Sequence, residues 1–285
     1  MKTEDIEILV QLYFEGIKTY KEACDFILKQ DTKINNELFL LLLAISDSME
    51  SLAILSRYNK MRDCYVTSRV IYETILNVLT ILSTNFEAMD EMMQYTQDEI
   101  AKEPARSIAT DSEAVFFTFD GNNHSVGFAK HNPIKSKNPR SWTKHNIPNQ
   151  INLIDKKYGK VASRSLQVAH LTIYRTASNI AHGTLYGMLQ AMGLIHGKEI
   201  KSFTDTSMIE HNQQVIATLL LTTLQSTYSL IYALDKEIGL EQFEKGFYET
   251  LGQLIHEGQK RLSNKSKETN QTSYFTKEDL ERKKS

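Results

Sequence analysis

Four polar side chains recur at helical spacing in one otherwise apolar segment of this 285-residue chain. They are Arg175, Ser178, Asn179 and His182, which share one side of a helix, with the first and last about 10 Å apart along its axis. A histidine transfers protons near neutral pH, and a guanidinium binds phosphate and stabilises charge in a transition state. The pattern is therefore typical of a phosphodiester-cleaving site, with His182 as general acid or base and Arg175 as phosphate ligand.

The same residues also fit two other roles. The flanking sequence, from Leu166 to Leu189, is mainly apolar, and burial of a polar group without a partner is unfavourable. In a structural role, Arg175 would pair with a carboxylate of another element, and Ser178 and His182 would bond to each other or to a neighbouring helix. In a binding role, Arg175 and His182 would hold a small ligand or nucleotide without cleaving anything.

A second polar pair lies earlier in the chain. Arg69 and Glu73 are four residues apart, and therefore on one face, in an otherwise apolar helical segment. Glu73 would either accept a hydrogen bond from Arg175 or His182 and fix its orientation, or form an intrahelical salt bridge with Arg69. The apolar neighbours favour burial of the pair.

The segment from Arg175 to His182 resembles the R-x(4–6)-H signature of the HEPN superfamily, all-helical proteins common in toxin and antiviral systems. The resemblance implies a metal-independent endoribonuclease that needs no cofactor, with the arginine and histidine of two protomers meeting at a dimer interface. It assigns Arg175 to the scissile phosphate and His182 to the 2′-hydroxyl or the leaving oxygen. The supporting residues would be Ser178, Asn179, Arg69 and Glu73.

A second resemblance concerns the architecture. The pattern R-x3-E at Arg69 and Glu73, followed by S-x3-H at Ser178 and His182, is similar to an uncharacterised group of bacterial all-helical proteins. That group has no established chemistry, so the similarity supports the fold and not an activity. The alternative function is a non-catalytic helical interaction or sensor protein, in which these side chains form a buried Arg/His/Glu network.

Long helices without proline are expected to carry these residues. All four prolines fall between residues 104 and 148, and apolar residues recur every three or four positions elsewhere. The predicted helices are 4–30, 36–58, 61–85, 87–103, 160–193, 205–238 and 240–263. The chain is therefore predicted to be all-α, a multi-helix bundle forming one domain over residues 1–263, followed by a mobile polar tail at 264–285.

The segment 105–150 is predicted to be an irregular insertion that contains proline, lysine and aromatic residues. Its run from Ala114 to Phe119, followed by Gly-Asn-Asn, is typical of a small hairpin. Between residues 121 and 164, nine lysines and arginines accompany a single acid, Asp155. Cations beside an aromatic ring suit single-stranded RNA, whereas in the alternative a solvated loop is anchored by its tryptophan. The predicted RNA-binding residues are Lys137, Arg140, Trp142 and Lys144.

The remaining features limit the other functions. The net charge of −2 gives no global attraction to nucleic acid, and the motifs of ATP and dinucleotide sites are missing. The histidine spacings match no metal motif, so no metal is expected, and Cys24 and Cys64 form no CxxC pair. The apolar runs Leu38–Ile45 and Val215–Leu234 are expected to be core helices and not membrane spans. We therefore expect a cytoplasmic homodimer that binds RNA and a regulatory protein but no membrane.

Overall fold

The structure is a computed structural model that describes residues 3–29, 34–100, 105–120, 123–130, 142–192 and 206–239, with 249, 251–252 and 255–256. Its fold is all-α with one small sheet, as the sequence predicts. The chain divides into two units, residues 1–79 with 154–285 and residues 80–153. The predicted single domain spans both units, and its tail at 264–285 lies outside the described residues.

The helices agree with the sequence prediction in most places. In chain order they are α1 (Thr3–Lys29), α2 (Asn36–Arg57), α3 (Met61–Ser83), α4 (Glu87–Ile100), α5 (Ile147–Tyr158), α6 (Lys160–Ala169), α7 (Arg175–Ala181), α8 (Leu185–Ala191) and α9 (Thr206–Ile238). Capping fixes some of the ends, as where Asn35 Oδ1 accepts a hydrogen bond from the Leu38 amide at 3.0 Å and begins α2. The helix predicted over 240–263 falls mostly outside the described residues.

The core of the first unit is built mainly from α1, α2, α3, α6 and α9. Helix α1 packs against α2 and α9, and α9 also packs against α6. Two fully buried phenols are paired there: the Tyr13 and Thr223 hydroxyls are 3.0 Å apart, and Tyr20 donates to the Leu42 carbonyl at 3.0 Å. Hydroxyl side chains along α9 donate to carbonyls of the preceding turn, which allows this helix to be buried despite its polar residues.

Two described helices are long and apolar enough to cross a membrane by length and composition alone. They are Asn36–Arg57, which is α2, and His211–Ile238 within α9. In the most apolar stretch of each helix, the share of residues buried inside the protein is 72% for α9 and only 39% for α2. Burial to that extent is typical of a core helix for α9, whereas α2 buries one side in the core and leaves apolar residues of its other side exposed.

The single helix predicted over 160–193 is wrong, because the chain is interrupted twice. A π-helical turn, His170–Tyr174, separates α6 from α7. Helix α7 then ends before Gly183, whose φ of 64° is left-handed, and Thr184 caps α8 by accepting a hydrogen bond from the Gly187 amide at 3.0 Å. The apolar period continues through these breaks, so periodicity alone did not reveal them.

The second unit contains an antiparallel sheet with strand order β1-β2-β3. The strands are β1 (Ala105–Ala109), β2 (Ala114–Asp120) and β3 (Asn123–Ala129). Strands β2 and β3 form the predicted hairpin, with Asp120 paired to Asn123. The insertion is therefore more regular than predicted, because strand-forming side chains alternate along 105–129 and α5 already begins at Ile147.

Candidate functional site

Arg175 and His182 lie at the two ends of α7 and are both exposed. Arg175 is its first residue, and His182 is the capping residue that follows Ala181. Helix α7 turns its apolar side inward, because Ala177 and Ile180 are fully buried. Among the described residues, neither Arg175 nor His182 has an ion pair or a side-chain hydrogen bond. The structural role in which a carboxylate occupies Arg175 is therefore not found in the described part of the chain.

Ser178 and Asn179, between these two residues, are half-buried and hold the end of α7 in place. The Asn179 side-chain amide donates to the Arg175 carbonyl at 3.2 Å, so this group already serves the backbone of its own helix. The Asn179 carbonyl accepts hydrogen bonds from both the amide and the hydroxyl of Thr184, at 3.2 and 3.0 Å. The amide of His182 donates to the Ser178 carbonyl at 3.1 Å, so hydrogen bonds of the backbone and of the Asn179 and Thr184 side chains fix the turn that presents the imidazole.

Helix α8 packs closely against the end of α7 through Gly187. A Cβ atom at that position would lie 2.5 Å from the carbonyl carbon and oxygen of Asn179, so only glycine permits this approach. The side-chain amide of Gln190 also donates to the Thr176 hydroxyl at 2.9 Å. The missing side chain at Gly187 therefore lets α8 approach the end of α7.

Arg69 and Glu73 form a local pair on α3. The Arg69 guanidinium donates from Nε and Nη2 to Glu73 Oε1 at 3.2 and 3.1 Å, and its Cζ lies 4.8 Å from the centroid of the Tyr174 ring. The prediction that Glu73 binds Arg175 or His182 is wrong, because the carboxylate is occupied by the cation one turn away on its own helix. The alternative, an intrahelical salt bridge, is confirmed.

Sequence reasoning missed an aromatic cluster beside this pair. The rings of His170 and Tyr174 are stacked at 5.1 Å and 20°, and the Tyr72 ring lies 6.4 and 6.2 Å from them. The hydroxyls of Ser68 and Tyr72 and Nδ1 of His170 are buried and have no hydrogen-bond partner among the described residues. The available signal was the repeated spacing of four, Ser68 to Tyr72 and His170 to Tyr174, which places each pair on one helical face.

The electrostatics of the cluster favour neutral side chains. Burial lowers the pKa of His170, and the positive charge of Arg175 lowers it further. Burial likewise raises the pKa of the Tyr72 hydroxyl well above its ordinary value. His170 and Tyr174 begin and end the π-helical turn, a rare geometry that occurs often at functional sites.

The predicted RNA-binding residues of the insertion are only partly described. Lys137 and Arg140 lie outside the described residues. Trp142 is half-buried, and Lys144 is exposed, with its Nζ 3.1 Å from Glu91 Oε1. An exposed ion pair of this kind contributes little to stability, so Lys144 stays accessible to a phosphate.

No family model, curated protein or solved structure matches the chain. The described residues contain no group of three or more histidine, cysteine, aspartate or glutamate side chains that could hold a metal ion. The resemblance to the HEPN superfamily therefore depends on the residues of α7 and its cap, and on the helical architecture around them.

Proposed function

We propose that this protein is a metal-independent endoribonuclease of the HEPN type, in which Arg175 binds the scissile phosphate and His182 transfers protons. The proposal depends on one observation: both side chains are exposed, and within the described part of the chain neither is engaged by a carboxylate. A guanidinium and an imidazole that the fold leaves free are available to a substrate.

The chemistry is an internal transesterification. The 2′-oxygen of a ribose attacks the adjacent phosphorus as the bond to the 5′-oxygen breaks. One imidazole takes the proton of the 2′-hydroxyl, and a second gives a proton to the leaving 5′-oxygen. If two protomers meet, each supplies one His182, and Arg175 stabilises the charge on the phosphate. The products are a 2′,3′-cyclic phosphate and a 5′-hydroxyl, and no metal or co-reactant takes part.

Exposed apolar side chains beside the site support a homodimer. Leu171 precedes Arg175 and is 62% exposed, and Leu185 and Tyr186, which follow His182, are 75% and 55% exposed. Large exposed apolar surface of this kind is typical of surfaces that bind other proteins. A second copy of the chain seated here would bring two Arg175–His182 pairs together. Such an enzyme would act in the cytoplasm as a toxin or phage-defence effector restrained by a partner protein.

The test is cleavage of labelled single-stranded RNA in the presence of a metal chelator. His182→Ala should lower the cleavage rate by about 100-fold or more, since a general acid or base contributes about that much. Circular dichroism and the oligomeric state should stay unchanged, because the side chain is exposed. The matched control is His145→Ala, a histidine of the other unit, which should cleave at the wild-type rate. Wild-type cleavage by His182→Ala, or no cleavage by the wild type, would reject the enzyme.

A specific observation also favours the alternative, a non-catalytic interaction or sensor protein. Arg69, Glu73, Tyr174 and His170 form a connected, partly buried network of the kind that role requires, although its histidine is His170 and not His182. In that case the wild type would not cut RNA under any condition tested, while substitution of Arg69 would still destabilise the fold.

A further inference from the structure

One face of the three-stranded sheet is mainly apolar. The strand register places Ile108, Val115 and Phe128 in one row across β1, β2 and β3, and Arg106, Phe117 and Val126 in the next row. Because side chains alternate between the two faces along a strand, these six positions share one face. Five of them hold apolar residues, and the sixth, Arg106, is a cation.

This face is open to solvent. Ile108, Val126 and Phe128 are 72%, 63% and 66% exposed, and Val115 and Phe117 are half-buried. On the opposite face the Phe116 ring lies across Gly127, where any Cβ atom would overlap it. Apolar side chains exposed together on one face of a sheet indicate a binding surface.

The aromatic rings of this face are suitably spaced for consecutive bases. Phe117 and Phe128 are diagonal neighbours on adjacent strands, which corresponds to roughly 7–8 Å between them. Aromatic side chains on a flat sheet stack the splayed bases of single strands in other RNA-binding folds, and the stacking tolerates any base.

The charge of the sequence that follows β3 favours an anionic partner. Exposed Lys130 directly follows β3, and residues 130–144 of the sequence contain five lysines and arginines and no acid. Phosphates pair with lysine and arginine while bases occupy aromatic rings. A partner without negative charge would use the apolar face but not Lys130.

We propose that this face of the sheet binds single-stranded RNA, with Phe117 and Phe128 stacking successive bases and Lys130 contacting the backbone. The inference goes beyond the cleavage reaction, since it concerns binding alone and holds whether or not the chain cuts RNA. It also assigns a role to the second unit that is independent of Arg175 and His182.

The experiment measures fluorescence anisotropy of a labelled 2′-O-methyl oligouridine with the full chain. This probe lacks the free 2′-hydroxyl, so binding is measured without cleavage. Phe128→Ala should raise the Kd by about tenfold, the loss expected for one stacked base, and Phe128→Tyr should stay within about twofold. The matched control is Leu40→Ala on α2, which is 63% exposed and should bind as the wild type does.

A charge pair at Val126 separates RNA from a protein partner. Val126→Lys should keep or tighten binding of the probe, and Val126→Glu should weaken it, with circular dichroism showing that both variants fold. Equal weakening by both, together with a change in oligomeric state, would assign the face to a protein contact and overturn the proposal. Wild-type affinity in Phe128→Ala, or no binding by the wild type, would also overturn it.

Discussion

Arg69 and Arg175 belong to the same unit of the protein, yet their surroundings differ. The Arg69 guanidinium binds Glu73 and lies over the Tyr174 ring, and only 22% of its side chain is exposed. Arg175, the residue after that tyrosine, is exposed and has no partner among the described residues. A cation that its neighbours satisfy contributes to stability, whereas a cation without a partner is available to a ligand.

The two histidines repeat the contrast. His170 stacks on Tyr174 at 5.1 Å within the π-helical turn, and burial keeps its pKa low. His182 lies on an exposed turn, and its own side chain takes no part in the hydrogen bonds that hold this turn among the described residues. Arg69 and His170 are therefore both engaged by neighbouring side chains, whereas Arg175 and His182 both face solvent.

The largest expected effect that sharpens this contrast is on catalysis. Arg175→Ala should lower the RNA-cleavage rate by about 100-fold or more, because a donor directed at the charged transition state contributes about that much. Single-turnover rates with excess protein measure it. Arg164→Ala, an exposed arginine of α6, is the control and should stay within about twofold. If Arg175→Ala cleaves like the control, Arg175 does not bind the phosphate.

A smaller effect concerns stability, for which Arg69 should matter more than Arg175. Arg69→Ala should lower the free energy of unfolding by about 1–2 kcal/mol, since it removes the pair with Glu73 and the contact with Tyr174. Arg175→Ala should change it by less than about 0.5 kcal/mol, as exposed substitutions do. Urea unfolding followed by circular dichroism measures both.

Arg69→Lys serves as the control for charge in the same experiment. It should recover only part of the lost stability, because an ammonium lacks the flat, forked geometry that serves Glu73 and the ring together. Equal losses for Arg69→Ala and Arg175→Ala would contradict the distinction between the two cations.

The smallest effect concerns pH. Because the pKa of His170 is lowered in the folded protein, the unfolded chain binds a proton that the folded chain does not. The free energy of unfolding should therefore fall as the pH drops through the ordinary histidine range, around pH 6.5, toward the lowered value. The variant His170→Phe keeps a stacked ring but does not titrate. Its free energy of unfolding should therefore fall less steeply between pH 7.5 and pH 5, an interval of about 2.5 units, as measured by urea unfolding.

Arg175→Ala should also make the free energy of unfolding fall less steeply as the pH drops, because it removes the charge that helps to lower the pKa of His170. The neighbouring groups Tyr72, Tyr174 and Arg69 stay in place in both variants. A slope as steep as that of the wild type in His170→Phe would mean that other groups govern the acid sensitivity.

The sequence predicted those parts of the fold that depend on local patterns. Apolar periodicity and the placement of proline gave α1 to α4, and the Gly-Asn-Asn turn gave the β2–β3 hairpin. It did not give β1 or the breaks around α7. Strand β1 is stabilised by its pairing with β2, which its own sequence does not reveal. The π-helical turn leaves the spacing of apolar residues intact, so periodicity does not reveal it either.

The candidate site was predicted by residue type but not by environment. The spacing identified Arg175 and His182, yet their exposure depends on which side of α7 packs inward, a tertiary property. The partner of Glu73 was left open between two alternatives, and in the structure it is Arg69, one turn away on the same helix. The cluster around His170 depends on contact between α3 and the π-helical turn, which are far apart in the sequence. Local sequence patterns do not reveal such a contact.

The π-helical turn holds one residue more than a regular turn, and its wider winding accommodates that residue without changing which side of α7 packs inward. Loss of a single residue between 171 and 173 would therefore restore regular winding while Ile180 stays buried and Arg175 stays at the surface. The contact between His170 and Tyr174 would change instead, because the two rings would then be three residues apart and not four. A three-nucleotide deletion at this point would thus alter the ring stack and spare the exposed cation.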